Sequence, residues 1–267
     1  LRTATIFNLE NFLQLKSASV RLFAAMVLFL AIGATAETTN DLSDAEIQGR
    51  KLAQQLLEQQ PTKNLTQNGI LNIRDARGRT TNASIILEAY VTPEAWIATY
   101  TVLSHNSSGV PHIGILHQRG QSNLYVLDQN QRISKTALKM TNESAIMIPF
   151  AGSDFWIADL GLEFFHWPEQ KILPNPTPLK RSRSYTLLES INPNPSTNGY
   201  SRVLSWIDKE SGGILEADAF DTKGKLLKVF EPDSFKKVDG QWELQEVEIR
   251  NVQTGSRTRL GFGSNRQ

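Results

Sequence analysis

The sequence predicts an α+β protein that is mainly antiparallel β, with one clear N-terminal helix. Three observations carry this prediction. The C-terminal third reads as five short strands: Tyr200 to Asp208, Ile214 to Asp221, Lys225 to Glu231, Trp242 to Asn251 and Arg257 to Phe262. Their connections, Lys209-Glu210-Ser211-Gly212-Gly213, Asp221-Thr222-Lys223-Gly224 and Val238-Asp239-Gly240, each supply a glycine where a tight turn needs positive φ. Links this short also exclude parallel crossovers, which take about a dozen residues or more.

The N-terminus has the anatomy of a secretory signal peptide. Leu22 to Ala36 is an apolar run of 15 residues, preceded by Lys16 and Arg21 and ending in the small-x-small pattern Ala34-Thr35-Ala36. A membrane anchor is the competing reading, but a spanning helix needs about 20 residues. Cleavage after Ala36 would leave 25 basic and 26 acidic residues and a single mature domain, residues 37 to 267. The segment ahead of Lys16 is long for a signal peptide and carries Glu10, and the chain opens on Leu rather than Met. A true start downstream of Leu1 would account for all three features.

Composition narrows the function classes. A formal charge of +1 on 267 residues gives no sign of a nucleic-acid partner, which would need Lys and Arg clustered on one face. The absence of cysteine removes disulfides, thiolate metal sites, cysteine nucleophiles and a lipid-anchored N-terminal cysteine together. A disulfide-free exported protein fits a periplasm better than an open extracellular space.

Taken in order, Asp41 to Gln60 is an amphipathic helix. Ser43 and Glu46 have capping-box spacing; Ala45, Ile47, Leu52, Ala53, Leu56 and Leu57 form its apolar stripe, and Pro61 stops it. Strands follow at Gly69 to Asp75, Thr81 to Val91, Ala95 to Ser104, His112 to Gln118 and Asn123 to Asp128. In Ala95 to Ser104 one face carries Trp96, Ala98, Tyr100 and Val102, while Ile97, Thr99, Thr101 and Leu103 make the other. Two apolar faces mean that a second layer covers the sheet or that it lines a cavity.

Ser134 to Pro168 breaks the strand rhythm and concentrates Phe150, Phe155, Trp156, Phe164, Phe165 and Trp167. A short helix capped by Ser153 or Asp154 and running to about Phe165 is predicted here, either packed on the sheet or acting as a lid over an apolar opening. Pro174 to Pro178 is a stiff connector, followed by Lys180, Arg181 and Arg183, and Tyr185 to Ile191 is a further strand.

Catalytic and metal constellations are not evident. His112 and His117 have opposite parity on one strand and so point to opposite faces; His105 and His166 complete the set of four histidines. Asp154 and Asp159 lie five apart, which does not align them on a helix, so capping or turn roles are the plainer reading. No G-x-S-x-G elbow, phosphate loop or dinucleotide fingerprint is present. The expectation is a protein without metal or cofactor that binds rather than catalyses.

Three pieces together resemble the LolA-like family of outer-membrane lipoprotein-sorting proteins, in its broader branch. These are the exported chain with a helix ahead of its strands, the stretch Gly152-Ser153-Asp154-Phe155-Trp156-Ile157-Ala158-Asp159-Leu160, and the meander from Arg202 to Leu260. The resemblance implies a half-open curved β-barrel whose apolar concave side is covered by helices. It implies a periplasmic carrier that takes the acyl chains of lipoproteins or lipids toward the outer membrane. An inner-membrane transporter and an outer-membrane acceptor would then be its partners. A periplasmic sensor on the same fold is the alternative. The expected ligand contacts are Trp96, Ala98, Tyr100 and Val102, with Tyr125, Phe155, Trp156 and Trp206 as further wall positions.

Overall fold

The computed structural model describes residues 42–103, 112–127, 138–140, 143–238 and 241–263. The signal-like run and His105 lie outside these residues. Leu42–Gln267 forms one compact unit.

Helix α1 spans Asp44–Leu57 and opens on the expected capping box: Glu46 accepts hydrogen bonds from the Ser43 backbone N–H (2.8 Å) and hydroxyl (2.7 Å). Ala53 and Leu56 are buried as the stripe requires, but Ile47 is 52% exposed. The helix meets the sheet through Gly49 instead. A Cβ there would stand 2.5 Å from the Lys171 backbone nitrogen, so only glycine lets the two backbones approach this closely.

The strands are β1 (Leu65–Arg74), β2 (Thr80–Val91), β3 (Ala95–Val102), β4 (His112–Gln118), β5 (Leu124–Leu127), β6 (Leu138–Met140), β7 (Glu169–Leu173), β8 (Tyr185–Ile191), β9 (Arg202–Asp208), β10 (Ile214–Phe220), β11 (Leu226–Val238), β12 (Gln241–Asn251) and β13 (Arg257–Phe262). They form one sheet in the order β6-β5-β4-β3-β2-β1-β13-β12-β11-β10-β9-β8-β7. Its pairs are antiparallel throughout. All five C-terminal strands form as expected, and Gly212 (φ 71°) and Gly224 (φ 72°) take the left-handed conformation in their turns. β11 runs past its expected end through Pro232, where the register shifts; a proline is tolerated in a ladder at such a bulge. β6 and β7 were not expected.

This order has a topological consequence. The chain lays down β1 to β6 outward from the centre, crosses to the far edge, and returns from β7 to β13, which zips onto β1. The crossover between the two edges carries α2 (Glu143–Ile146), α3 (Ile157–Leu160) and a 3-10 turn at Glu163–His166. Phe150, Phe155 and Ile157 of this crossover share one buried cluster with Leu71 on β1, Ile113 on β4, Val203 on β9 and Ile249 on β12. On a flat sheet β4 and β9 would lie about 38 Å apart at ordinary strand spacing. A cluster common to both fits a sheet curled around the crossover, and β6 and β7 remain unpaired with each other. The architecture is the half-open, mainly antiparallel barrel with its concave side covered.

The predicted helix from Ser153 or Asp154 to Phe165 is replaced by two separate single turns. Asp154 is drawn away from capping by the hydroxyls of Ser256, in the β12–β13 turn, and Thr258 on β13, and Trp156 caps α3 with its N–H donated to Asp159 Oδ2 (2.7 Å). Leu162 then reverses the backbone at φ 48°. Gly161 lies against Tyr125 so closely that a Cβ would overlap the tyrosine hydroxyl.

Candidate functional site

The strand register brings most of the expected wall together. Trp96, Ala98, Tyr100 and Val102 stand opposite Val91, Ala89, Leu87 and Ile85 on β2, all on the concave side. On β4 the matching positions are His117, Ile115 and Ile113. Val102, Ile113, Ile115 and Tyr125 join Phe155 in the central cluster, and Trp156 packs against it. Tyr100 meets Phe150 edge to face at 5.9 Å, and burial pushes its phenol up to about 12. Trp96, half-buried at the end of this face, stacks on His117 at 3.9 Å. Burial, and then the neighbouring His166, push the His117 imidazole down to about 3.

Trp206 does not belong to this wall. Val203 and Ile207 take the inward positions of β9, so Trp206 points to the opposite face. There it packs with Tyr185 and Leu187, with the Lys180 ammonium 4.3 Å from its ring. Both parities of β9 are apolar, so the sequence could not assign its inward face.

The crossover is fastened to the sheet by three sets of polar contacts. The Asp154 carboxylate accepts from Ser256 Oγ (2.6 Å) in the β12–β13 turn and from Thr258 Oγ1 (2.9 Å) on β13. Asp159 accepts from the Tyr200 hydroxyl (2.9 Å), and Lys228 Nζ lies 3.5 Å from its other oxygen. At the far end Tyr125 donates to Glu163 Oε2 (2.8 Å).

Lys228 is the centre of the second set. It is only 2% exposed, donates to the Asp154 carbonyl (2.7 Å) and sits over the Trp156 ring at 3.5 Å; Trp156 in turn stacks on Tyr200 at 4.6 Å. Burial pulls the Lys228 ammonium down to about 8, against the opposing pull of Asp159 and Asp154. The two aspartates that sequence spacing could not align thus meet around one buried cation. Lys228 is not among the residues that the sequence reading singles out. The available signal was its parity, since Leu226, Lys228 and Phe230 alternate on one strand and place a lysine at an inward position.

A cleft lies between the crossover and β9 to β12, walled by Asp159, Leu162, Phe164, Tyr200, Lys228 and Phe230. Its volume is about 20 Å³, room for about one water molecule. The concave side is therefore filled at this point by the protein's own aromatic crossover.

Fold and site together define a half-open antiparallel barrel with a self-filled apolar interior. A family model described as "-like: Uncharacterized protein" matches residues 119–266, over half of the chain; the chain belongs to that family. No curated protein matches the sequence. Among solved structures it is similar to a DUF1329 family protein from Desulfovibrio piger, at 16% identity and TM-score 0.66 over 83% of this chain and 92% of that one. A domain assigned to outer membrane lipoprotein sorting in Vibrio parahaemolyticus matches at 18% identity and TM-score 0.67, covering 82% of this chain and 92% of its own. A LolA superfamily protein from Nitrosomonas europaea matches at 13% identity and TM-score 0.57, covering 83% and 93%. At these identities the likeness establishes the fold.

Proposed function

We propose that this protein is a periplasmic carrier that holds acyl chains of lipoproteins or lipids against the concave face of β1 to β5. The observation that supports it best is the crossover. An aromatic segment fills the apolar interior of an open barrel, yet it is fastened by a few polar contacts, Asp154 to β13, Asp159 to Lys228 and Tyr200, and Glu163 to Tyr125. Such a segment can be displaced as one piece, exchanging its own side chains for a ligand's methylenes.

The energetics suit a transfer protein. Each buried CH₂ is worth about 0.8 kcal/mol, so an acyl chain offers enough to displace Phe150, Phe155 and Trp156. The displaced aromatics then compete for the same surface, which keeps release possible. Residues 1–36 act as a cleaved export signal in this reading, and residues 37–267 as one lipid-binding domain. An inner-membrane transporter would load it and an outer-membrane acceptor would unload it. The chemistry is burial, with no covalent step.

Native mass spectrometry of protein purified from its own envelope tests the reading. Co-purifying lipid or lipopeptide is the expected result. Protein that repeatedly carries none, and instead recovers an inner-membrane regulator, would make the same fold a sensor.

A further inference from the structure

A second cleft lies at one end of the sheet's central strands, where the β1–β2 and β12–β13 turns approach each other. Its volume is about 310 Å³, within the range of small-ligand sites. Three arginines line it: Arg74 on β1, Arg257 on β13 and Arg250 at the end of β12. The register sets them side by side, Arg74 opposite Arg257 and Arg257 opposite Arg250. Like charges directly opposite on neighbouring strands are unfavourable. The nearby carboxylates do not relieve this. Asp75 accepts from Arg79 Nε (2.7 Å) and from the backbone N–H groups of Arg77 and Arg79. Asp154 is held by Ser256 and Thr258, while Glu231 and Glu248 serve Arg250 and Glu248 also serves Arg259. Among the described residues Arg74 and Arg257 have no carboxylate partner.

We propose that this cleft binds a phosphoryl oxyanion through Arg74 and Arg257. A guanidinium presents paired donors that match phosphate oxygens bidentately, and an anion between the two would relieve their repulsion. Ser256 also lines the cleft, but its hydroxyl is given to Asp154, so recognition falls to the arginines. The phosphate can belong to a free ion or to an anionic lipid headgroup. The assignment stands whether or not the concave side carries acyl chains.

The test compares the full-length protein, the variant R74A/R257A and the control R119A, which removes an exposed cation on the distant β4–β5 turn. Each is titrated with pyrophosphate at low salt and sedimented with vesicles of phosphatidylglycerol or of phosphatidylcholine. Binding of pyrophosphate that weakens at least about tenfold in R74A/R257A, and not in R119A, assigns the site to free phosphate groups. The same pattern with phosphatidylglycerol vesicles alone assigns it to lipid headgroups. Equal binding by all three proteins, or none by any, overturns the proposal. Melting temperature serves as the folding control: both arginines are exposed and mutually repelling, so the variant should melt no lower than the parent. R74Q/R257Q provides a second variant of closer size.

Discussion

The ammonium of Lys228 sits 3.5 Å from the centre of the Trp156 ring, inside the barrel, while donating to the carbonyl of Asp154 two residues earlier. One strand residue thus holds both ends of the aromatic tripeptide that fills the concave side. Lys228→Met should leave Asp159 buried without its cation, since Lys228 and Asp159 side chains are 2% and 8% exposed. Breaking one partner of a buried pair costs about 3–5 kcal/mol. Urea unfolding should report a loss of that order, with part of it recovered in the double variant K228M/D159N. Unchanged stability in K228M would show that the cation holds nothing.

The same lysine sets a pH dependence. Its pKa falls from 10.5 to about 8 in the folded protein, so between these values the unfolded chain binds more protons. Stability contributed by this group therefore rises with pH from about 8 toward 10.5. Buried Tyr200 and Tyr125, whose phenols are raised by burial, oppose this above pH 10. The clean window is pH 8 to 10, where the wild type should gain stability relative to K228M.

At the acid end His117 and His166 are pushed down from 6.5 to about 3 and about 4, chiefly by burial. The unfolded chain then takes up protons first, and stability drains away as pH falls from about 6.5 toward 4. Asp218, raised to about 6 by burial and by Glu216, works in the opposite sense over part of this range. His117→Phe keeps a ring against Trp96 and removes the titration. Its stability should fall less steeply than the wild type's between pH 6.5 and 4 in chemical denaturation.

Gly49→Ala tests the seat of helix α1. A Cβ at this position meets the Gln170 carbonyl carbon at 2.6 Å and the Lys171 nitrogen at 2.5 Å, both backbone atoms. The helix or strand β7 must shift, at a cost of about 1–3 kcal/mol. Alanine would otherwise favour a helix by about 1 kcal/mol over glycine, so a stabilised G49A would contradict the packing described.

Much of the fold is legible in the sequence where turn chemistry and period agree. The C-terminal meander, the Ser43–Glu46 cap and the alternation of β3 all follow from local pattern. The crossover is visible as an aromatic interruption but not as two single turns, because what splits it is tertiary: the hydroxyls of Ser256 and Thr258 recruit Asp154, and Tyr125 requires glycine at position 161. β7 escaped because Glu169–Leu173 is short and mixed, and becomes a strand only by pairing with β8. Trp206 was assigned to the concave wall on aromatic character; parity relative to Val203 decides otherwise. Lys228 reads as a surface residue until its partners, scattered from Asp154 to Tyr200, are brought together.

The central claim is that acyl chains take the place of the crossover on the concave face. Uptake of a fluorescent fatty acid by the wild type, Thr258→Val, Trp96→Glu and Trp206→Ala measures it directly. Thr258→Val removes both hydrogen bonds between the Thr258 hydroxyl and Asp154, one donated to the carboxylate and one accepted from the backbone N–H, and frees the crossover, so affinity should rise by about tenfold or more. Trp96→Glu should weaken uptake while the protein stays folded, and Trp206→Ala, on the outer face, should leave it unchanged. Uptake that is absent from the wild type, or that falls only with Trp206→Ala, would contradict the account.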